Sequence, residues 1–317
     1  MRLTLREKEL YEVLKREPLI SQDELSRRFG ITRSSVAVHI SNLMKKGVIL
    51  GKGYVFNEAA SAVVIGESCI NIEVRGENEK TAIDIIYGGF ALEFSRALAN
   101  YGVNVKVITV TGNDDIGNEI ISRLREREID TGSIYRHLKL RSCRRVSLNH
   151  VLAYEETYTW KEYEKALALK EWIAVNCEWL CIDPLFQKNI LSHLTGKDEE
   201  KLPYLSTYRV MQYPEEVPEF LRDYSILVLG AGTDQLEYYV DKIRSWVSNQ
   251  NWVITDGVSR VVFFQNQKAI DVLLLPNQSF NIGDRLPFLL AGLIYGLSSG
   301  YPLRQAIRMG IGAAAGE

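Results

Sequence analysis

An α/β chain in two unequal parts is what the sequence predicts: a three-helix head closed by a hairpin over residues 1–57, and a sheet-and-helix body over residues 61–317. Three observations predict it. Capping residues and apolar stripes of helical spacing fill the first 46 residues. Short apolar runs then alternate with helical patterns, the mark of a parallel sheet flanked by helices. Charge divides at the same place: residues 1–56 hold 11 Lys or Arg against 6 Asp or Glu, and the remainder 27 against 34. With 317 residues and 46% hydrophobic content, the chain can bury one large core and one small one.

In the head, a first helix around Arg6–Arg16 sets Leu10, Val13 and Leu14 on one face and stops before Pro18. Ser21 has the chemistry of an N-cap, and Glu24 three residues on completes a capping box. The second helix buries Leu25 and Phe29 and ends at Gly30, which suits a left-handed C-terminal residue. Thr32 caps the third, Arg33 to Lys46, whose apolar stripe of Val36, Ile40, Leu43 and Met44 faces the other two. Ser34, Val38, Ser41 and Lys45 lie opposite, with Arg33, Ser35 and Asn42 at the margins. Small polar residues let such a face sink into a major groove, where Arg33 reaches a base edge or a phosphate. Val48-Ile49-Leu50 and Tyr54-Val55-Phe56 flank Gly51-Lys52-Gly53 as two strands around a tip, with Lys52 aimed at a duplex backbone.

The stretch ISQDELSRRFGITRSSVAVHISNLMKKGVILGKGYVF resembles a winged helix-turn-helix of the bacterial regulator type. With the net charge of +5, that resemblance implies double-stranded DNA as the partner. It implies Thr32, Arg33, Ser34, Ser35, Val38, Asn42 and Lys52 as the contact residues. A three-helix protein-interaction module with a hairpin is the alternative for the same residues.

In the body, Ala62–Gly66, Val105–Val110, Ile226–Leu229 and Trp252–Thr255 read as strands, and Ile116–Arg127 and Glu237–Val247 as helices. VKVITV and ILVL are apolar on both faces, as a covered parallel sheet requires. Leu286 to Leu297 is too short to span a bilayer and carries helical core spacing. The chain opens on a charged helix rather than a signal peptide, so a cytoplasmic protein without membrane contact is expected. Cys69, Cys143, Cys177 and Cys181 form no regular framework, and no His or Cys pair completes a zinc site with them. They read as structural, and no metal site is expected.

YGGFALEFSRALANYGVNVKVITVTGNDDIGNEI resembles the first signature region of the ribokinase-like (PfkB) carbohydrate kinases. Its counterparts there are Gly88-Gly89, the Tyr101-Gly102 turn, and the loop Gly112-Asn113-Asp114-Asp115-Ile116-Gly117. LAGLIYGLSSGYPLRQAIRMGIGAAA resembles the helices after that family's catalytic loop. The head points to the branch resembling pseudouridine kinases with an added DNA-binding domain. The resemblance implies a three-layer α/β/α domain with a small β lid, and some tens of residues beyond Glu317 that complete the nucleotide side.

The same resemblance identifies what has changed. Asn71 stands where an Asp binds sugar hydroxyls, and Glu93 where an Asn contacts substrate. Gly232-Thr233-Asp234-Gln235 replaces the Asn-x-x-Glu motif that organises magnesium and phosphates. Thr255 and Gly257 keep half of a Thr-x-Gly-x-x-Gly turn, with Arg260 at its last glycine. The loop Asp-Thr-x-Gly-Ala-Gly-Asp presents N–H groups at a helix N-terminus and ends in the general base. Aligned without gaps, Pro287 takes the base position, and Arg285 and Leu286 block the anion hole. A three-residue insertion instead makes Asp284 the base. The gapless register is preferred, because the downstream match through Ala315 is unbroken.

The reading is therefore a DNA-binding regulator whose body is a pseudokinase, serving as a ligand sensor or dimerisation domain. Asn71, Gly88, Gly89, Glu93 and Asp114 are the expected lining of a pocket for a small sugar or nucleoside-like ligand. No cofactor is expected, and a homodimer is. The alternative is an active carbohydrate or nucleoside kinase that uses ATP and magnesium with Asp284 as base. A scaffold for oligomerisation alone is the third reading.

Overall fold

The structure is a computed structural model that describes residues 3–17, 20–46, 48–51, 55–56, 61–77, 80–194, 202–212, 215–246, 250–265 and 268–316. The head comprises α1 (Leu5–Arg16), α2 (Gln22–Phe29) and α3 (Arg33–Lys45), then the antiparallel pair β1 (Ile49–Gly51) and β2 (Val55–Phe56). Each helix starts on a side-chain cap. Thr4 and Glu7 form a capping box on α1, and Thr32 accepts the N–H of Ser35 on α3. Ser21 accepts the N–H of Glu24, but the Glu24 carboxylate pairs with Arg27 rather than returning to the cap. Leu10, Leu14, Leu25, Val36, Ile40 and Leu43 make the small core. Met44, expected on the buried stripe, is 45% exposed, because it lies on the edge of α3 turned away from α1 and α2. Lys52, the wing tip, lies outside the described residues, as does the linker 57–60.

The body begins with β3 (Ala62–Ile65), the hairpin β4 (Cys69–Glu77) and β5 (Lys80–Gly88), and α4 (Phe90–Asn100). Next come β6 (Val105–Ile108), β7 (Val110–Gly112), α5 (Asp115–Arg125), β8 (Tyr135–His137), β9 (Cys143–Leu148) and β10 (Val151–Glu156). The middle is α6 (Trp160–Leu169), α7 (Glu171–Val175), β11 (Trp179–Ile182), α8 (Gln187–Leu194) and β12 (Tyr204–Val210). Then follow β13 (Ile226–Gly230), α9 (Leu236–Arg244), β14 (Asn251–Thr255), β15 (Arg260–Gln265) and β16 (Lys268–Leu273). The last two helices are α10 (Ile282–Ser298) and α11 (Leu303–Ala315).

The central sheet runs β16-β15-β14-β13-β12-β11-β3-β6. It is parallel from β14 to β6, with β15 and β16 added antiparallel at one edge. Its inner strands are apolar on both faces because both are covered. Val63, Leu180, Leu227 and Ile254 pack under α6, α8 and α9, and Val64, Cys181, Val228 and Val253 under α4, α10 and α11. The two C-terminal helices approach closely: a Cβ on Gly292 would lie 2.7 Å from the Met309 carbonyl. A second sheet, β10-β9-β4-β5, stands off the end of the first as a lid. This is the three-layer domain with a small β lid.

Candidate ligand pocket and nucleic-acid face

Parallel strands deliver their C-terminal ends to one rim, where the chain leaves β3 for the lid and leaves β11 for α8. Gly66 follows β3 without a side chain because a Cβ there would sit 2.7 Å from the Phe90 ring and 2.8 Å from the Asp183 carboxylate. Asp183, the first residue after β11, accepts the N–H groups of Glu67 and Leu185 at 2.9 Å. Glu67, almost fully buried, pairs with Arg145 of the lid strand β9 at 2.6 Å. Arg145 also holds Glu155 at 2.6 Å and donates to Cys69 Sγ, so one guanidinium ties lid to floor. Burial raises the Asp183 carboxyl to about 6, with the Glu67 charge adding to the push. Burial likewise raises the Tyr208 phenol, which lies within the fields of Asp183 and Glu93. Neither Glu67, Arg145, Asp183 nor Tyr208 was expected as a site residue from the sequence.

The expected pocket residues meet beside this network. A Cβ on Gly88 would fall 2.5 Å from Glu93 Oε1 and 3.4 Å from Asn71 Nδ2, so these three converge. Gly89 is the N-cap of α4 at φ +90°, with the Glu67 carbonyl 2.6 Å from where its Cβ would stand, so only glycine fits there. Burial raises the Glu93 carboxyl; Arg96 counters it and the charge of Asp284 adds to it. Asp114 has a different place. It caps α5 through the Gly117 N–H and accepts the N–H and hydroxyl of Ser142, with Arg144 at 3.3 Å. Its carboxylate is committed to the root of the lid, and these partners outweigh burial to hold its pKa down.

The opposite end of the rim is built differently. Thr255 is fully buried, donates to the Arg260 carbonyl and accepts the Gly257 N–H, closing its own turn. Arg260 pairs with Glu237 and Asp271. Gln235 folds back over Gly232. Asn281 caps α10 and takes the Gly283 N–H, while Ile282 and Leu286 pack on Gly230 at the end of β13. The first turn of α10 is therefore Ile282-Gly283-Asp284, and Pro287 lies inside the helix, buried. This differs from the gapless register, which set Arg285, Leu286 and Pro287 at the helix start. Arg285 instead reaches the Ala313 and Ala314 carbonyls at the end of α11 and stacks on Phe288. Asp284 is exposed.

Comparison with known proteins agrees with both halves. Residues 3–49 match the winged helix-turn-helix DNA-binding family, and residues 59–183 the pfkB family of carbohydrate kinases. The body has the ribokinase-like fold. A carbohydrate kinase from Agrobacterium tumefaciens superposes with a TM-score of 0.62 at 18% identity, over 80% of this chain and 89% of that one. A nucleoside kinase of Burkholderia thailandensis, solved with inosine, gives 0.62 at 13% identity over the same shares. A Cryptococcus neoformans ribokinase solved with ADP gives 0.59 at 17% identity, over 80% of this chain and 92% of that one. These share the fold. In sequence, the chain is 34% identical over 140 residues to a protein described as an uncharacterized sugar kinase, YeiI, of Escherichia coli (strain K12). That match spans 41% of this chain and only 38% of the relative.

On the head, Arg33, Ser34 and Val38 of α3 are exposed, Val38 at 58%. Thr32 and Ser35 share the cap hydrogen bonds, and Asn42 is half-buried. Arg33 makes an exposed contact of 3.6 Å with Asp23. Among the described residues, no helix is long and apolar enough to cross a membrane.

Proposed function

We propose that the chain is a DNA-binding transcriptional regulator whose ribokinase-like body binds a small sugar- or nucleoside-like ligand and no longer transfers phosphate. The observation that carries it is the divided rim. At the acceptor end, Asn71, Gly88 and Glu93 converge beside buried charges, as a site for a hydroxylated molecule requires. At the other end Thr255, Gly257, Gln235 and Arg260 are satisfied by their own neighbours. Those residues do not fit a nucleotide and magnesium: the position of the motif glutamate is Gln235, and Ile282 packs where an open backbone would cradle phosphate. The body acts on DNA by linkage, since a ligand that prefers one arrangement of the chain shifts operator affinity by its differential binding energy.

The face formed by Arg33, Ser34 and Val38 enters the major groove, with Val38 suited to a thymine methyl and Lys52 to the backbone. Ile83, Ile85, Leu148 and Val151 leave the lid with an exposed apolar face that supports a homodimer on a two-fold operator. Arg33→Ala with Lys52→Ala is expected to weaken duplex binding about 10- to 100-fold and to lower the salt slope by about 2, measured by fluorescence anisotropy over a salt series. An unchanged slope removes the groove-docking reading.

One observation favours the second reading, an active kinase. Asp284 stands in the first turn of α10, and its charge reaches Glu93 across the acceptor end. In that reading its carboxylate takes the proton of the acceptor hydroxyl.

A further inference from the structure

A cavity of about 270 Å³ lies where the head meets the body, away from the acceptor end. Met44, Lys45 and Lys46 at the end of α3 form one wall; Lys170, Trp172 and Asp130 stand on the body side. Trp172 is the body's principal foothold in the head. Its ring, 8% exposed, joins the cluster of Leu10, Leu14 and Leu43. Its buried indole N–H has no hydrogen-bond partner among the described residues. A buried donor in that condition is costly.

The charge of the lining points to an anionic ligand. Lys46 is tied to Glu7 at 2.6 Å and Asp130 to Lys106 at 3.3 Å, so each of these is offset by a neighbour. Lys45 and Lys170 then leave the lining positive. The C-terminal dipole of α3 opposes an anion, so the attraction has to come from these ammonium groups. Met44, Trp172 and Ile173 supply apolar wall, and the volume suits a small molecule with one anionic end rather than a nucleoside triphosphate.

We propose that this interdomain cavity binds a small phosphorylated metabolite, which bridges Lys45 of the recognition helix and Lys170 of the body and thereby fixes the head against the body. Occupancy then changes operator affinity. That last step rests on the regulator reading; the binding step does not.

The test is titration calorimetry on the full chain without DNA, using ribose 5-phosphate, ribose and inorganic phosphate as probes. Saturable binding of ribose 5-phosphate below millimolar concentration is expected, with ribose and inorganic phosphate each at least 10-fold weaker. Lys45→Glu with Lys170→Glu should weaken it at least 10-fold, and a charge reversal at the exposed Lys268 of β16, at the far edge of the sheet, not at all. Absence of binding, equal binding of inorganic phosphate, or retention of binding in the lysine variant each overturns the site. Anisotropy with labelled duplex then tests the clamp. A change in duplex affinity on adding ribose 5-phosphate, absent in the lysine variant relative to its own baseline, supports it; an unchanged affinity overturns the clamp while the binding result stands. A chain that binds ribose 5-phosphate but no duplex defeats the regulator reading instead.

Discussion

The two ends of the body's rim carry polar groups of the same kinds and use them in opposite ways. At the acceptor end Glu67, Glu93 and Asp183 are buried or half-buried with pKa values of the last two raised, held in place by Arg145 and by backbone N–H groups. At the nucleotide end, Thr255, Asp256, Gln235 and Arg260 bond to their own turns and surface partners. Raised carboxyl pKa values reflect an electrostatic cost that a binding site can exploit. Self-satisfied turns have no such tension. On the reading proposed above, the difference teaches that a fold can retain one half of a two-substrate site and close the other without changing its strands.

Cutting the lid-to-floor tie should have the largest effect. Arg145→Met leaves Glu67 buried without its cation and is expected to cost about 3 kcal/mol, the lower part of the range for a broken buried pair. Adding Glu67→Gln should return much of that, and a double-mutant cycle from urea unfolding reads the coupling. Additive losses would mean the pair does not hold the lid. A glycine comparison comes next. Gly89→Ala forces a Cβ against the Glu67 backbone at positive φ and should cost about 2 kcal/mol. Gly232→Ala meets chiefly the flexible Gln235 side chain and should stay within about 0.5 kcal/mol. Equal losses would erase the distinction between the two ends.

The smallest effect is in pH. Asp183 has a folded pKa near 6, above its unfolded value, so its favourable contribution is complete at low pH and is lost as pH rises through 6. The melting temperature of Asp183→Asn relative to the parent should therefore increase between pH 5 and pH 7. A difference that is flat across that window would mean that the carboxyl ionises normally.

Much of the fold was legible. VKVITV and ILVL announce covered strands, and Thr32 and Gly30 bound helices as their chemistry requires. The antiparallel edge made by β15 and β16 was not anticipated, although Ile270, Val272 and Leu274 alternate with the exposed Asp271 and Leu273 as a strand covered on one face does. In the site, Asn71 and Glu93, expected together from the Gly88-Gly89 region, both lie close to Gly88. The Glu67–Asp183 contact joins residues 116 positions apart, and nothing local foretells it. Asp114 caps α5 and bonds Ser142, contacts the sequence did not single out because a Gly-x-Asp loop looks alike whether its carboxylate faces a ligand or caps a helix. The start of α10 could have been found: Asn281 is an N-cap residue, and an acid three positions on favours a first turn there.

The central claim is that the acceptor end persists without phosphoryl transfer. It is tested most directly by ATP consumption with magnesium and a panel of sugars and nucleosides, pseudouridine included, run beside Asp284→Ala. The account predicts no turnover above that of Asp284→Ala with any acceptor. Turnover that disappears in Asp284→Ala would contradict it, and would make the exposed carboxylate in the first turn of α10 the base of a working kinase.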